Sequence, residues 1–129
     1  MIILTSPSKS LDLESSYREH IVTQPVFLSQ TSFLHRELVN FTQGQLKKLL
    51  KVSDSLAELN YNRYQSWKQN HNLSNSRPAL FTFNGDVFKE LELQNYEHKE
   101  HMYAQKSLRI LSGFYGIVRA LDLIQPYRL

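Results

Sequence analysis

The opening run Met1-Ile2-Ile3-Leu4-Thr5 constrains the fold most. It is a short apolar stretch that Ser6-Pro7 stops, because proline removes a backbone donor and turns the chain. It predicts a buried strand. A second run of the same kind, Ala79 to Phe83, follows Pro78 and ends in the strong turn chemistry of Asn84-Gly85-Asp86. Two buried strands so far apart, with helical periodicity between them, define a mixed α/β (α+β) class: short strands with several helices in one domain.

The helical signals lie mainly between the two runs. From about Pro25, Val26 or Phe27, Phe33, Leu34, Leu38 and Phe41 fall on one stripe. Thr42 predicts an N-cap for a short helix through Leu46, Leu49 and Leu50, with Lys47, Lys48 and Lys51 outside. Ser53 caps a further helix carrying Leu56, Leu59, Tyr64 and Trp67, which the Asn/Ser cluster from Asn70 to Ser76 ends. Leu11 to Gln24 has weak periodicity and reads as an irregular surface crossing. Val87 to Leu91 predicts one or two helical turns, and a longer helix starts near Tyr96, with Met102, Tyr103, Leu108 and Leu111 on its apolar side. The remainder, with Gly113, Gly116 and Pro126, predicts short elements about a turn.

With 41% apolar and 21% charged residues, the chain has the balance of an ordinary folded protein. No apolar run approaches the roughly 20 residues that span a bilayer, and the opening run is too short for a signal segment, so a cytoplasmic location without membrane contact is expected. The absence of cysteine excludes disulfides, thiolate metal sites and thiol nucleophiles. The net charge of +3 is confined to the tail, where Lys106, Arg109, Arg119 and Arg128 face Asp122 alone. Such a local excess attracts phosphates.

Three segments could carry chemistry. Ser6-Pro7-Ser8-Lys9 matches the Ser-x-x-Lys spacing in which a lysine activates a serine, but the accompanying Lys-Thr-Gly element is absent. Holding an anion is the simpler role for this strand-end loop. Asn84-Gly85-Asp86 ends the second run; glycine there permits a positive φ, and Asp86 can cap the next turn. If the two runs are parallel strands of one sheet, Ser6, Lys9 and Asp86 converge on one crevice, with Lys9 facing Asp86. Finally, Leu108 to Asp122 places Gly113-Phe114-Tyr115-Gly116 between two apolar segments, resembling a helix-hairpin-helix contact whose backbone N–H groups bind phosphate. There Arg109, Ser112, Gly113, Tyr115, Gly116, Arg119 and Arg128 are the expected DNA-facing residues. His98 and His101 share a helix face at a spacing open to a metal, although a solvated face accounts for them; no metal, cofactor or catalytic residue is expected.

These segments resemble the bacterial YaaA family of the peroxide-stress response. The family's Ser-Pro-Ala-Lys-Thr-Leu-Asp stands here as Ser6 to Asp12, and its Phe-Lys-Gly-Asp-Val-Tyr as Phe83 to Phe88. Its Leu-Arg-Ile-Leu-Ser-Gly-Leu-Tyr-Gly block and the following Pro-Tyr-Arg-Leu stand as Leu108 to Gly116 and Pro126 to Leu129. Asn84 replaces a lysine and Ala120 a proline. The resemblance implies a mixed α/β fold peculiar to the family, a helix-hairpin-helix-like element, and a protein that binds double-stranded DNA and limits iron-driven damage. It also implies that residues 1–129 are a partial domain, the N-terminal half, whose missing C-terminal half leaves an unpaired sheet edge and an exposed apolar face.

The leading expectation is therefore a non-enzymatic DNA-binding protein of the peroxide response. The alternatives are a small-ligand binder or enzyme using Ser6, Lys9 and Asp86, and a fragment with no activity of its own.

Overall fold

The computed structural model describes residues 1–129. Along the chain run β1 (Ile3–Thr5), α1 (Leu28–Leu38), α2 (Gln43–Leu50), α3 (Asp54–Ser66), β2 (Arg77–Pro78), α4 (Ala79–Thr82) and α5 (Asp86–Glu90). A 3-10 turn (Leu93–Asn95), α6 (His98–Ser107), β3 (Leu108–Ser112), β4 (Gly116–Arg119) and β5 (Leu123–Ile124) follow. The mixed α/β class read from the sequence is the one observed.

Local chemistry explains the helices. Thr42 and Gln45 form a reciprocal capping box at the start of α2, and Ser53 Oγ accepts the Leu56 N–H at the start of α3. α2 and α3 pack together as a helix hairpin whose connector holds Lys51 in the left-handed region (φ 57°). In α1 only Thr31 and Leu38 are buried, and Thr31 Oγ1 donates to the Phe114 carbonyl at 3.0 Å. Phe33 and Leu34, expected on the buried stripe, remain exposed.

The main sheet has the order β1-β3-β4. β1 runs parallel to β3, with Ile3 opposite Leu108 and Thr5 opposite Ile110. β3 and β4 form an antiparallel hairpin, with Ile110 opposite Val118 and Ser112 opposite Gly116. Period-2 alternation buries Ile110, Ser112 and Val118 while Leu111 and Ile117 face outward. Beneath the hairpin lies the core, where Tyr64 of α3 and Trp67 just after it meet Phe114, Tyr115, Val118 and Tyr127.

Four expectations are corrected here. β1 forms but is not buried: it is an edge strand, and Ile2, Ile3 and Leu4 are 55, 45 and 61% exposed. Residues 79–82 are not a second strand but the helical turn α4, and Phe83 alone is extended, bridging Leu11. Ala79 N–H donates to Asp122 O (2.8 Å), Leu80 N–H to Ala120 O (2.9 Å) and Thr82 Oγ1 to Pro78 O (2.8 Å), and these bonds coil the run. A short apolar run is compatible with either state until its partners decide. α6 stops at Ser107, and Leu108 and Leu111 belong to β3. Gly113 to Gly116 therefore joins two strands, not two helices; the helix hairpin of this fold is α2–α3.

Candidate functional site

The strand-end loop of β1 and the loop after α4 do come together. Asn84 N–H donates to Ser8 Oγ at 2.9 Å, Ser8 Oγ donates to Ser10 O at 2.7 Å, and Asp12 N–H donates to Thr82 O at 2.7 Å. Gly85 is required there by contact and not by conformation. Its φ is −80°, but a Cβ would stand 2.7 Å from Ser8 Cβ. The expected crevice residues are not what these segments converge upon. Ser6, Lys9 and Asp86 are exposed, and Lys9 and Asp86 form no ion pair. The parallel pairing that was to align them does not exist, because β1 pairs with β3.

A cavity of about 460 Å³ opens on the other side of the same junction, walled by residues 12–18, α4, α5 and the start of α6. Arg18, Arg77 and Lys89 supply three cations against the single carboxylate of Asp12. Partial burial raises the Asp12 carboxyl, but hydrogen bonds from Ser15 and Glu14 and the charge of Arg77 outweigh it, leaving it below its ordinary value. Arg77 lies over the Tyr17 ring at 5.1 Å, and Tyr17 stacks on Phe81 at 5.0 Å. Arg18 and Arg77 carry no motif in the sequence, and His101 was expected on a solvated helix face. The signals available were a cation beside Tyr17 and a cation before Pro78, neither of which has a recognisable spacing.

Behind His101, one of the lining residues, is a buried carboxylate. Glu19 accepts His98 Nδ1–H and His101 Nδ1–H on Oε1, both at 2.9 Å, and the backbone N–H groups of His20 and Ile21 on Oε2, both at 3.0 Å. Burial alone raises its carboxyl, but these donors prevail and hold it down at about 2. The solvated face expected for the two histidines is thus half correct: His98 is exposed, His101 is buried. Their Nδ1 atoms turn to Glu19, and no three His, Asp or Glu side chains converge to hold a metal ion.

The residues expected to face DNA are mostly engaged in the fold. Arg119 grips the fully buried Asp122 through Nε and a terminal nitrogen (3.1 and 2.9 Å) and also donates to Gln24 O. Arg109 donates to Gln105 O and Leu108 O. Ser112 Oγ accepts Phe114 and Tyr115 N–H and bonds Tyr127 OH, which fixes the hairpin turn. Tyr115 is fully buried, Gly116 takes φ 75° against the Phe27 ring, and Gly113 is exposed. Arg128, half-buried, lies within electrostatic reach of Arg63 on α3.

Fold and site together define a mixed α/β protein with a phosphate-compatible basic cavity and a lysine-bearing helix hairpin, without a recognisable catalytic constellation. The chain belongs to the family described as Peroxide stress protein YaaA, whose model matches residues 1–129. It is similar over all its 129 residues to UPF0246 proteins of Hahella chejuensis (48% identical), Idiomarina loihiensis (45%) and Aliivibrio fischeri (43%). In each case it covers 50% of the relative, so the chain spans about half the length of the curated relatives it matches. No helix is long and apolar enough to cross a membrane.

Proposed function

We propose that this chain contributes to a cytoplasmic peroxide-stress protein by binding duplex DNA through the phosphate backbone, without reading sequence. The supporting observation is the α2–α3 hairpin. Lys48 and Lys51 are exposed on one side of a tight connector, next to the N-terminal end of a 13-residue helix. The exposed lysines attract phosphate by charge; the start of α3 itself is capped by Ser53 and carries Asp54 in its first turn. Lys47 contributes less, because its ammonium pairs with Asp54 at 2.8 Å. Farther along α3, Arg63 lies within electrostatic reach of Arg128, and the two add cations toward the tail. This moves the contact away from Arg109 and Arg119, whose guanidinium groups are occupied. DNA is a principal target of iron-driven oxidation, so a protein held there fits a role in limiting it.

The test is fluorescence anisotropy of a labelled duplex titrated with the protein between 50 and 200 mM salt. Affinity falls steeply with salt, and Lys48→Glu with Lys51→Glu weakens binding about equally on unrelated sequences while reducing the salt slope by about 2. Binding that is salt-independent, or that the double variant leaves unchanged, removes the proposal.

A further inference from the structure

We propose that the cavity between residues 12–18 and α4–α6 is a binding site for a nucleoside-monophosphate-sized ligand: a small phosphate ester carrying a flat ring. The cavity, about 460 Å³, falls within the range of small-molecule sites. Its charge is the first argument. Arg18, Arg77 and Lys89 outnumber Asp12, and a dianionic phosphate is the simplest group that balances them.

The second argument is two buried polar atoms with no partner, both on residues that line the cavity. Arg77 Nε is a donor without an acceptor, although a terminal nitrogen of the same guanidinium donates to Phe81 O at 3.0 Å. His101, 3% exposed, has an unpartnered Nε2. Its Nδ1–H is directed at the Glu19 carboxylate, which leaves Nε2 as the ring's one unpartnered polar atom. Buried groups left in this state cost about 1–3 kcal/mol each, and native proteins rarely keep them without a use. The Arg77 donor matches an anionic oxygen, and the His101 nitrogen matches a polar group of a ring or sugar. A phosphorylated nucleoside offers both.

The third argument is shape. Phe81 and Tyr96, each half-buried, wall the cavity with aromatic surface, and the Asn84 and Gln94 amides lie on its polar side, where they can address the edge of a heterocycle. A ring-free sugar phosphate would satisfy the charges but leave the aromatic wall wet.

Isothermal titration of the protein with the four common nucleoside 5′-monophosphates, with adenosine and with inorganic phosphate tests the assignment. At least one monophosphate binds saturably at one site, ten times or more tighter than adenosine or phosphate. Arg18→Ala with Lys89→Ala, both exposed positions, weakens it at least tenfold while the thermal unfolding midpoint stays in place. The Lys48→Glu, Lys51→Glu variant binds it normally, which separates this site from the duplex contact. No saturable binding by any monophosphate at millimolar concentration, equal affinity for inorganic phosphate, or indifference to the Arg18, Lys89 double variant overturns the proposal.

Discussion

Glu19 Oε1 accepts the Nδ1 hydrogens of His98 and His101, each at 2.9 Å, so one buried carboxylate ties the crossing after β1 to the first turn of α6. Its carboxyl sits at about 2 in the folded chain against 4.5 for the unperturbed group. A carboxyl lowered on folding stabilises the fold above its unfolded value and loses that contribution as pH falls through the folded one. Stability at fixed temperature should therefore drop between about pH 4.5 and 2. Glu19→Gln should remove that dependence and cost about 1–3 kcal/mol at pH 7. Urea midpoints at pH 7 and pH 3 measure both; equal losses at the two pH values would refute the assignment.

Gly85 is held by Ser8. Gly85→Ala brings a Cβ to 2.7 Å from Ser8 Cβ and should destabilise by about 1–3 kcal/mol through forced separation of the two loops. Ser8→Gly removes the opposing atom, so Gly85→Ala should cost clearly less in that background. A double-mutant cycle on denaturation midpoints reads the coupling, and additive costs would show that the contact is not responsible.

Asp122 is fully buried and its oxygens receive Arg119, Thr23 Oγ1 at 2.6 Å and the Arg119 N–H at 2.7 Å. Breaking one side of a buried pair leaves an uncompensated charge, so Arg119→Ala should lower stability by about 3–5 kcal/mol. Any loss of DNA affinity in that variant would have to be read against its unfolded fraction, measured by circular dichroism on the same samples.

Tyr115 OH accepts Trp67 Nε1–H (3.0 Å) and Gln125 N–H (2.9 Å), which leaves its own hydrogen for His71 Nε2 at 2.8 Å. His71 is therefore neutral with its proton on Nδ1, facing Gln69 O at 3.0 Å, and burial lowers its pKa below 6.5. A histidine lowered on folding adds stability above its unfolded value and loses it as pH falls below about 6.5. His71→Gln should flatten that slope, and Tyr115→Phe should cost at least about 2 kcal/mol by stranding two buried donors. Trp67 is the sole tryptophan and packs edge-on to His71 at 5.3 Å, so its fluorescence reports the melt directly.

The helices were legible because their signals are local. Thr42 and Ser53 cap where their side chains can reach the first turn, and no distant residue is needed to see it. What failed was whatever depended on distant partners. Ala79 to Thr82 coils because Asp122 and Ala120 present carbonyls to it, and β1 is exposed because β3 covers only one of its edges. The site was half legible for the same reason. The meeting of the first loop with Asn84-Gly85 was expected from a parallel strand pairing that does not form, and the groups around the cavity include Arg77, Lys89 and His101, which no spacing links. Glu19 gave no signal at all, lying in a segment without periodicity.

The pairing of Ile3 with Leu108 also sets a timetable. The first strand made must wait for a partner about a hundred residues downstream, an interval of roughly 5–20 s at ordinary synthesis rates. The hairpin of β3 and β4, being local, closes within about 10 μs of its own appearance. β1 is therefore among the last elements of the fold to find its hydrogen-bond partners.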